Sequence, residues 1–292
     1  MAKWTAADIP DQTGRTHVVT GANSGLGQVI ATELARAGAD VIVACRDTAK
    51  GEQAAAAMPG HAEVRHLDLS DLASVREFAA GLGEIGVLVN NAGVMATPER
   101  RTKDGFELQI GTNRLGHFAL TGLLLGRIAD RVVTMSSFAH RNGRIDLEDL
   151  NWERRRYKRW GAYGQSKLAN LLFTYELQRR LTSAGSSRKA LAAHPGYAAT
   201  NLQSHTDSIQ DRVMGVTNRL FAQSAAMGAL PALYAATVPS VPGGSYIGPD
   251  GLMEQRGHPK IVKSNQRSYD EVTAAALWNL SEQLTGVTFT DF

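Results

Sequence analysis

The sequence predicts an α/β fold, a doubly wound parallel sheet with helices packed around it. Three observations carry this. Short apolar runs of strand character, 16-THVVT-20, 41-VIVA-44 and 87-VLV-89, recur through the first third of the chain. Stretches with apolar residues at helical spacing separate them, beginning with Leu26, Val29, Ile30 and Leu34. The first strand gives way to the first helix through a turn, 20-TGANSGLG-27, that holds three glycines. Strand, helix, strand, helix is the pattern of right-handed βαβ units.

Each element follows in order. After the first strand and helix come the strand at 41–44 and an Ala-rich helix over 48–58. A third strand, 62-AEVRHLD-68, leads to a helix capped by Ser70 or Asp71 and ending near Ala80. The fourth strand is 87-VLV-89. A long helix is expected over 104–127, then a fifth strand at 131-RVVTM-135. A polar, basic connection spans 140–160, followed by a helix over 162–182 and a strand at 189–194. Residues 197–221 read as a loop carrying short helices. A helix over 224–236, a last strand at 245–247 and a helical tail over 268–283 complete the chain. No internal repeat or linker divides the 292 residues, so a single domain is expected, with residues 197–225 as a lid over the substrate.

Composition narrows the function. Hydrophobic residues make up 43% of the chain, enough for one large core. A net charge of +3 gives no concentrated basic face for nucleic acid. The single cysteine, Cys45, rules out an intrachain disulfide and a Cys pair for metal. Eight histidines occur without a metal-binding spacing, so no metal is expected. The absence of an apolar run of span length, and of a signal pattern at the N-terminus, leads to the expectation of a soluble, cytoplasmic protein with no membrane span.

The glycines have a physical purpose where they stand. At the carboxyl end of a first strand, a helix N-terminus offers N–H groups and a favourable dipole to a pyrophosphate, and glycine removes the side chains that would block it. The turn 20–27 is therefore expected to hold a dinucleotide through Gly21, Asn23, Ser24, Gly25, Leu26 and Gly27. At the end of the second strand the sequence reads 44-ACRD-47. A carboxylate there would bond a ribose 2′-OH, but Cys45 takes that place and Arg46 follows. A guanidinium suits a 2′-phosphate, so NADP(H) is expected over NAD(H), with Asp47 one residue too far along for the acidic role.

Of the seven tyrosines, Tyr163 has a lysine four positions on, in 163-YGQSK-167. On a helix the two share a face. The pair opens a helix that follows the fifth strand, and that strand ends in 136-SS-137.

Together these features resemble the short-chain dehydrogenase/reductase family. The chain carries TGxxxGxG at 20–27, NNAG at 90–93, Asn113 in the long helix, Ser at the end of strand five, YxxxK at 163–167, and PG at 195–196 with Thr200 beyond. The wording of 113-NRLGHFALT-121 and 163-YGQSKLANLLF-173 is similar to its retinol-dehydrogenase-like and protochlorophyllide-reductase-like branches. The resemblance implies a Rossmann domain and hydride transfer between a nicotinamide and a carbonyl or alcohol. Tyr163 would be the general acid/base, its pKa lowered by the Lys167 ammonium. Ser137, with Ser136 as the alternative, would bond the substrate oxygen. Lys167 would also hold the nicotinamide ribose, and Asn113 a water leading from Lys167 to solvent. Asp68 and Leu69 would flank the adenine, Asn90, Ala92 and Gly93 its ribose side, and Pro195, Gly196 and Thr200 the nicotinamide end. The resemblance also implies a homo-oligomer, a dimer or tetramer.

Other features receive plainer readings. The run 153-ERRRYKRW-160 is a solvated connection or a contact for an acidic partner or membrane surface. His194 reads as structural and Cys45 as a small core residue. Apolar residues in the expected lid, Leu202, Ile209, Val213, Met214 and Phe221, favour a moderately apolar substrate. An NADPH-binding sensor without turnover is the alternative, which the complete Ser/Tyr/Lys set argues against. A sugar-nucleotide epimerase is disfavoured by the glycine spacing.

Overall fold

The computed structural model describes residues 3–197 and 224–292. Eight strands form one sheet: β1 (Thr16–Thr20), β2 (Asp40–Cys45), β3 (Ala62–His66), β4 (Ile85–Asn90), β5 (Ile128–Met135), β6 (Lys189–Ala193), β7 (Tyr246–Pro249) and β8 (Pro259–Val262). Their order is β3-β2-β1-β4-β5-β6-β7-β8. The first seven run parallel, and β8 returns antiparallel to β7. The order reverses between β1 and β4, which opens a crevice at the carboxyl ends of these strands.

Burial on both faces explains the apolar runs. Side chains alternate along a strand, so Val18 and Leu88 enter one core while Val19, Val87 and Val89 enter the other. The helices are α1 (Gly25–Arg36), α2 (Thr48–Ala56), α3 (Leu72–Ala80), α5 (Arg159–Ser183), α6 (Ala225–Thr237) and α7 (Glu271–Thr285), with α4 running through Leu108–Ile110, Gly111–Leu115 and Gly116–Leu124. Helices α1, α2 and α6 cover one face through Ile30, Leu34, Ala54 and Leu233. Helices α3, α4, α5 and α7 cover the other through Val75, Phe118, Phe173 and Trp278. In that second core Phe118, Trp278 and Phe289 pack ring to ring at 4.5–5.2 Å.

Asp side chains start three helices. Asp47, Asp71 and Asp270 accept from the backbone N–H groups of Lys50, Ala73 and Thr273. Of the two caps considered for α3, Asp71 therefore serves.

Two features depart from the sequence expectation. The helix expected over 104–127 begins at Leu108, and its Gly111–Leu115 segment is a π-helix. Apolar spacing cannot register one widened turn, although such turns favour functional positions. Strand β8 was not foreseen. Its 259-PKIV-262 is short, exposed at Lys260 and Ile261, and begins with proline, as edge strands do. All but the two ends of the expected lid over 197–225 lies outside the described residues.

Candidate active site

The glycine turn is built by its neighbours. Gly21 has φ 67°, and a Cβ on it would press on Ala92 Cβ at 3.0 Å. A Cβ on Gly27 would overlap Gly21 O and come within 2.5 Å of Asn91 Nδ2. Both glycines let strand end, turn and helix close up. Gly25 differs: its φ is 56° and a Cβ there would meet nothing within 4 Å. It faces open space at the head of a 12-residue helix. Ser24, the residue before α1, makes no side-chain capping bond, so the first N–H groups of α1 keep their capacity for an anion. Asn23 is half-buried beside it, while Leu26 turns its side chain into the core and has only its backbone to offer.

The loop after β4 locks onto this turn through Thr20. Its Oγ1 accepts from the N–H groups of Asn91 and Ala92, both at 2.9 Å. Asn91 Nδ2 donates to Thr20 O at 2.8 Å. Asn90 points elsewhere, its Nδ2 bonding Thr121 Oγ1 at 3.0 Å. The structural member of the 90–93 motif is thus Asn91, which the sequence reading did not single out. His117 is a second addition. Its ring bonds Thr20 Oγ1 through Nε2 at 2.9 Å and Asn113 O through Nδ1 at 3.1 Å. Burial holds it down to about 3, so it is neutral.

The end of β2 sorts its side chains by polarity. Cys45 is buried, with its thiol pushed up to about 11 by burial. Arg46 is exposed and makes no salt bridge among the described residues. Asp47 is engaged as the α2 cap and with Lys50 Nζ at 3.4 Å. Beyond β3, Asp68 Oδ1 accepts from the N–H and hydroxyl of Ser70 at 2.9 and 2.6 Å. Leu69 buries its side chain in the core, where its carbonyl presses on Gly116, so only its backbone can line a ligand.

The Ser/Tyr/Lys set comes together from β5 and α5. Ser136 Oγ donates to Lys167 O at 2.9 Å and is buried. Ser137 Oγ accepts from Ala139 N–H at 3.3 Å, and its hydroxyl lies near enough to the Tyr163 phenol to pull that group's pKa down. The pair is thereby divided: one serine fixes α5, the other meets the tyrosine. Lys167 Nζ donates to Met135 O at 3.1 Å and lies 5.7 Å from the centre of the Tyr163 ring. Burial pushes Tyr163 up to about 12, opposed by the Ser137 hydroxyl, and pushes Lys167 down to about 8. Desolvation is the larger cause for both groups, and it sets Tyr163 above its ordinary value in the chain without a dinucleotide.

Asn113 lies in the π-helical turn and is fully buried. Its Oδ1 accepts from Val94 N–H at 2.7 Å, and its Nδ2 donates to Val94 O and Ser166 Oγ, both at 2.9 Å. The side chain expected to carry a water is occupied with the 90–94 loop and α5. Gly93 fits between it and Lys167, since a Cβ there would lie 3.0 Å from Asn113 Oδ1 and 3.6 Å from Lys167 Nζ.

The short chain dehydrogenase family model matches residues 15–211. The chain belongs to that family. Human retinol dehydrogenase 13 is 43% identical over 300 residues, covering 96% of this chain and 86% of that one. Mouse retinol dehydrogenase 14 is 39% identical, covering 94% and 86%. Among solved structures, an uncharacterized protein from Mycobacterium paratuberculosis superposes with a TM-score of 0.87 at 57% identity, over 99% of this chain and all of that one. A chain described as an NAD(P)-dependent gluconate 5-dehydrogenase from Beutenbergia cavernae, with NADP bound, reaches a TM-score of 0.63 at 27% identity over 81% of this chain and 95% of that one.

This short-chain dehydrogenase is thus an NAD(P)-dependent dehydrogenase/reductase. Its own residues fit the dinucleotide: the uncapped head of α1 and the open side of Gly25 match a pyrophosphate. At the position expected for the nicotinamide end, Gly196 has φ 65°, and a Cβ on it would overlap Gln255 O. Pro195 is half-buried beside it, and Thr200 lies outside the described residues. His194 is fully buried, with Nε2 3.1 Å from Glu254 Oε2 and Nδ1 accepting from Gly196 N–H at 3.3 Å. That is the structural role expected of it. The basic run also gains partners. Arg155 pairs with Asp146 and Asp149, both at 3.3 Å, and covers the Trp152 ring at 3.9 Å. Tyr157 donates to buried Glu107 at 3.0 Å. Arg154, Arg156, Lys158 and Arg159 stay exposed. No helix among the described residues is long and apolar enough to cross a membrane.

Proposed function

We propose that the chain is an NADP(H)-dependent oxidoreductase that interconverts a carbonyl and an alcohol, with Tyr163 as the proton donor and acceptor. The observation that carries this is the meeting of Tyr163 and Lys167, one turn apart on α5 with Nζ 5.7 Å from the phenol ring, beside Ser137 at the end of β5. The bound dinucleotide supplies or takes up the hydride. Ser137 and Tyr163 hold the substrate oxygen between two hydroxyl groups. In reduction the Tyr163 O–H gives its proton to the forming alkoxide. A phenol held near 12 is fully protonated at neutral pH, and an alkoxide is a far stronger base, so the transfer is downhill. Lys167 lies close enough to Gly93 and Asn113 to steady the loop that receives the ribose.

The choice of NADP(H) rests on Arg46, exposed at the end of β2, and on the engagement of Asp47 as a helix cap. The names of the relatives place retinol and retinal among the first compounds to try, in line with a moderately apolar substrate. The same reading takes the enzyme as a cytoplasmic homo-oligomer, which fractionation and sedimentation test.

The experiment is NADPH oxidation across aldehydes, ketones and quinones, with NADH in parallel and Tyr163→Phe as the control. Turnover that the substitution abolishes supports the reading. Tight NADPH binding without turnover of any panel member points instead to a sensor. Equal rates with NADH would remove the role given to Arg46.

A further inference from the structure

The chain has four tryptophans, and three are packed away. Trp278 is fully buried, Trp152 lies under Arg155, and Trp4 packs edge-on to Tyr234 at 5.2 Å. Trp160 is 55% exposed. It stands in the first turn of α5, three residues before Tyr163, which puts both side chains on one face of the helix. The two rings meet edge to face, 6.0 Å between centres at 80°. The indole therefore borders the phenol that performs the chemistry. Its helix start is fixed, because a Cβ on Gly161 would press into the Trp152 ring at 2.8 Å. A second apolar ring, Phe138 at 39% exposure, directly follows Ser137, the other hydroxyl at the reacting oxygen.

An exposed indole is a large, rigid apolar surface on which a ligand can pack. A compound whose carbonyl bonds the Tyr163 phenol would stand one ring away from it. We propose that Trp160 is a specificity residue, whose indole packs on the apolar part of the substrate next to the carbonyl that Tyr163 protonates. This rests on the oxidoreductase reading above. It makes the enzyme favour carbonyl compounds with an extended apolar group over small ones, through an aromatic contact set by α5.

The test uses the full chain with saturating NADPH and two probes, decanal and propanal. Steady-state kinetics of the wild type, Trp160→Ala and Trp160→Phe give the decanal-to-propanal ratio of kcat/KM. Val272→Ala, an exposed site on α7, is the surface control. Binding is measured separately, by equilibrium dialysis of decanal against Tyr163→Phe with and without Trp160→Ala. The proposal expects Trp160→Ala to lower the ratio about tenfold through KM, as loss of one aromatic contact does, with Trp160→Phe in between. It also expects decanal dissociation to weaken by a similar factor. A ratio within twofold of wild type, with wild-type turnover intact, overturns the role of Trp160 and leaves the oxidoreductase reading standing. Absence of wild-type turnover and of decanal binding overturns both.

Discussion

Gly25→Ala separates binding from folding at the cofactor turn. The new methyl meets no protein atom within 4 Å, so overpacking contributes nothing to its cost. The residue must still hold φ 56°, which costs an L-residue roughly 1–2 kcal/mol. For a chain of this length that lowers Tm by about 2–8 °C. The methyl fills the space in front of the α1 head, where the pyrophosphate accepts from backbone N–H groups. Losing one such charge-assisted bond costs about 1.5–3 kcal/mol, so NADPH affinity falls by roughly 10- to 100-fold. Gly27→Ala is the contrast, since its methyl would overlap Gly21 O and Asn91 Nδ2. It is expected to lower Tm more than Gly25→Ala does. Differential scanning fluorimetry gives Tm, and NADPH fluorescence enhancement gives Kd. If Gly25→Ala bound NADPH within threefold of wild type, the assignment of this turn to the pyrophosphate would be refuted.

Three further outcomes follow from the same contacts. Arg46→Ala should weaken NADPH by roughly 10- to 100-fold and NADH much less, because only the 2′-phosphate loses a guanidinium; parallel titrations check this, and equal losses would count against it. Ser137→Ala should lower kcat by about 100-fold or more, while Ser136→Ala, which loses a bond to Lys167 O, should cost about 1 kcal/mol of stability and little rate; comparable rate losses would undo the division between the two serines. Buried histidines should make the fold acid-sensitive. His117 is held down to about 3, and His17 and His140 to about 4, by burial. The unfolded chain takes up these protons near 6.5 and the folded one does not, so the stability present above pH 6.5 is lost as pH falls toward 4. The loss is about 1.4 kcal/mol per pH unit for each histidine, and urea midpoints that stay flat from pH 7 to 5 would contradict it.

The sequence by itself determined the parallel sheet and the family. Runs such as Val18–Val19 and Val87–Val89 must be buried on both faces, and that demand is written locally, in composition and period. The glycine spacing and the Tyr163–Lys167 interval are local too, because one turn and one helix fix their geometry. What depended on distant segments stayed hidden. Tyr163 sits near 12 because β5, α5 and their neighbours exclude water, and no interval along the chain measures desolvation. Ser136 and Ser137 are adjacent, yet the twist of the chain leaving β5 sends one to the α5 backbone and the other to the phenol. Asn91 and His117 entered the site through Thr20, across separations of 71 and 97 residues. Trp160 read as the end of a basic run, and only the packing of α5 set its ring against Tyr163. Local periodicity specifies which side chains are buried. Which of them meet is decided when the sheet brings the carboxyl ends of β1, β4 and β5 side by side.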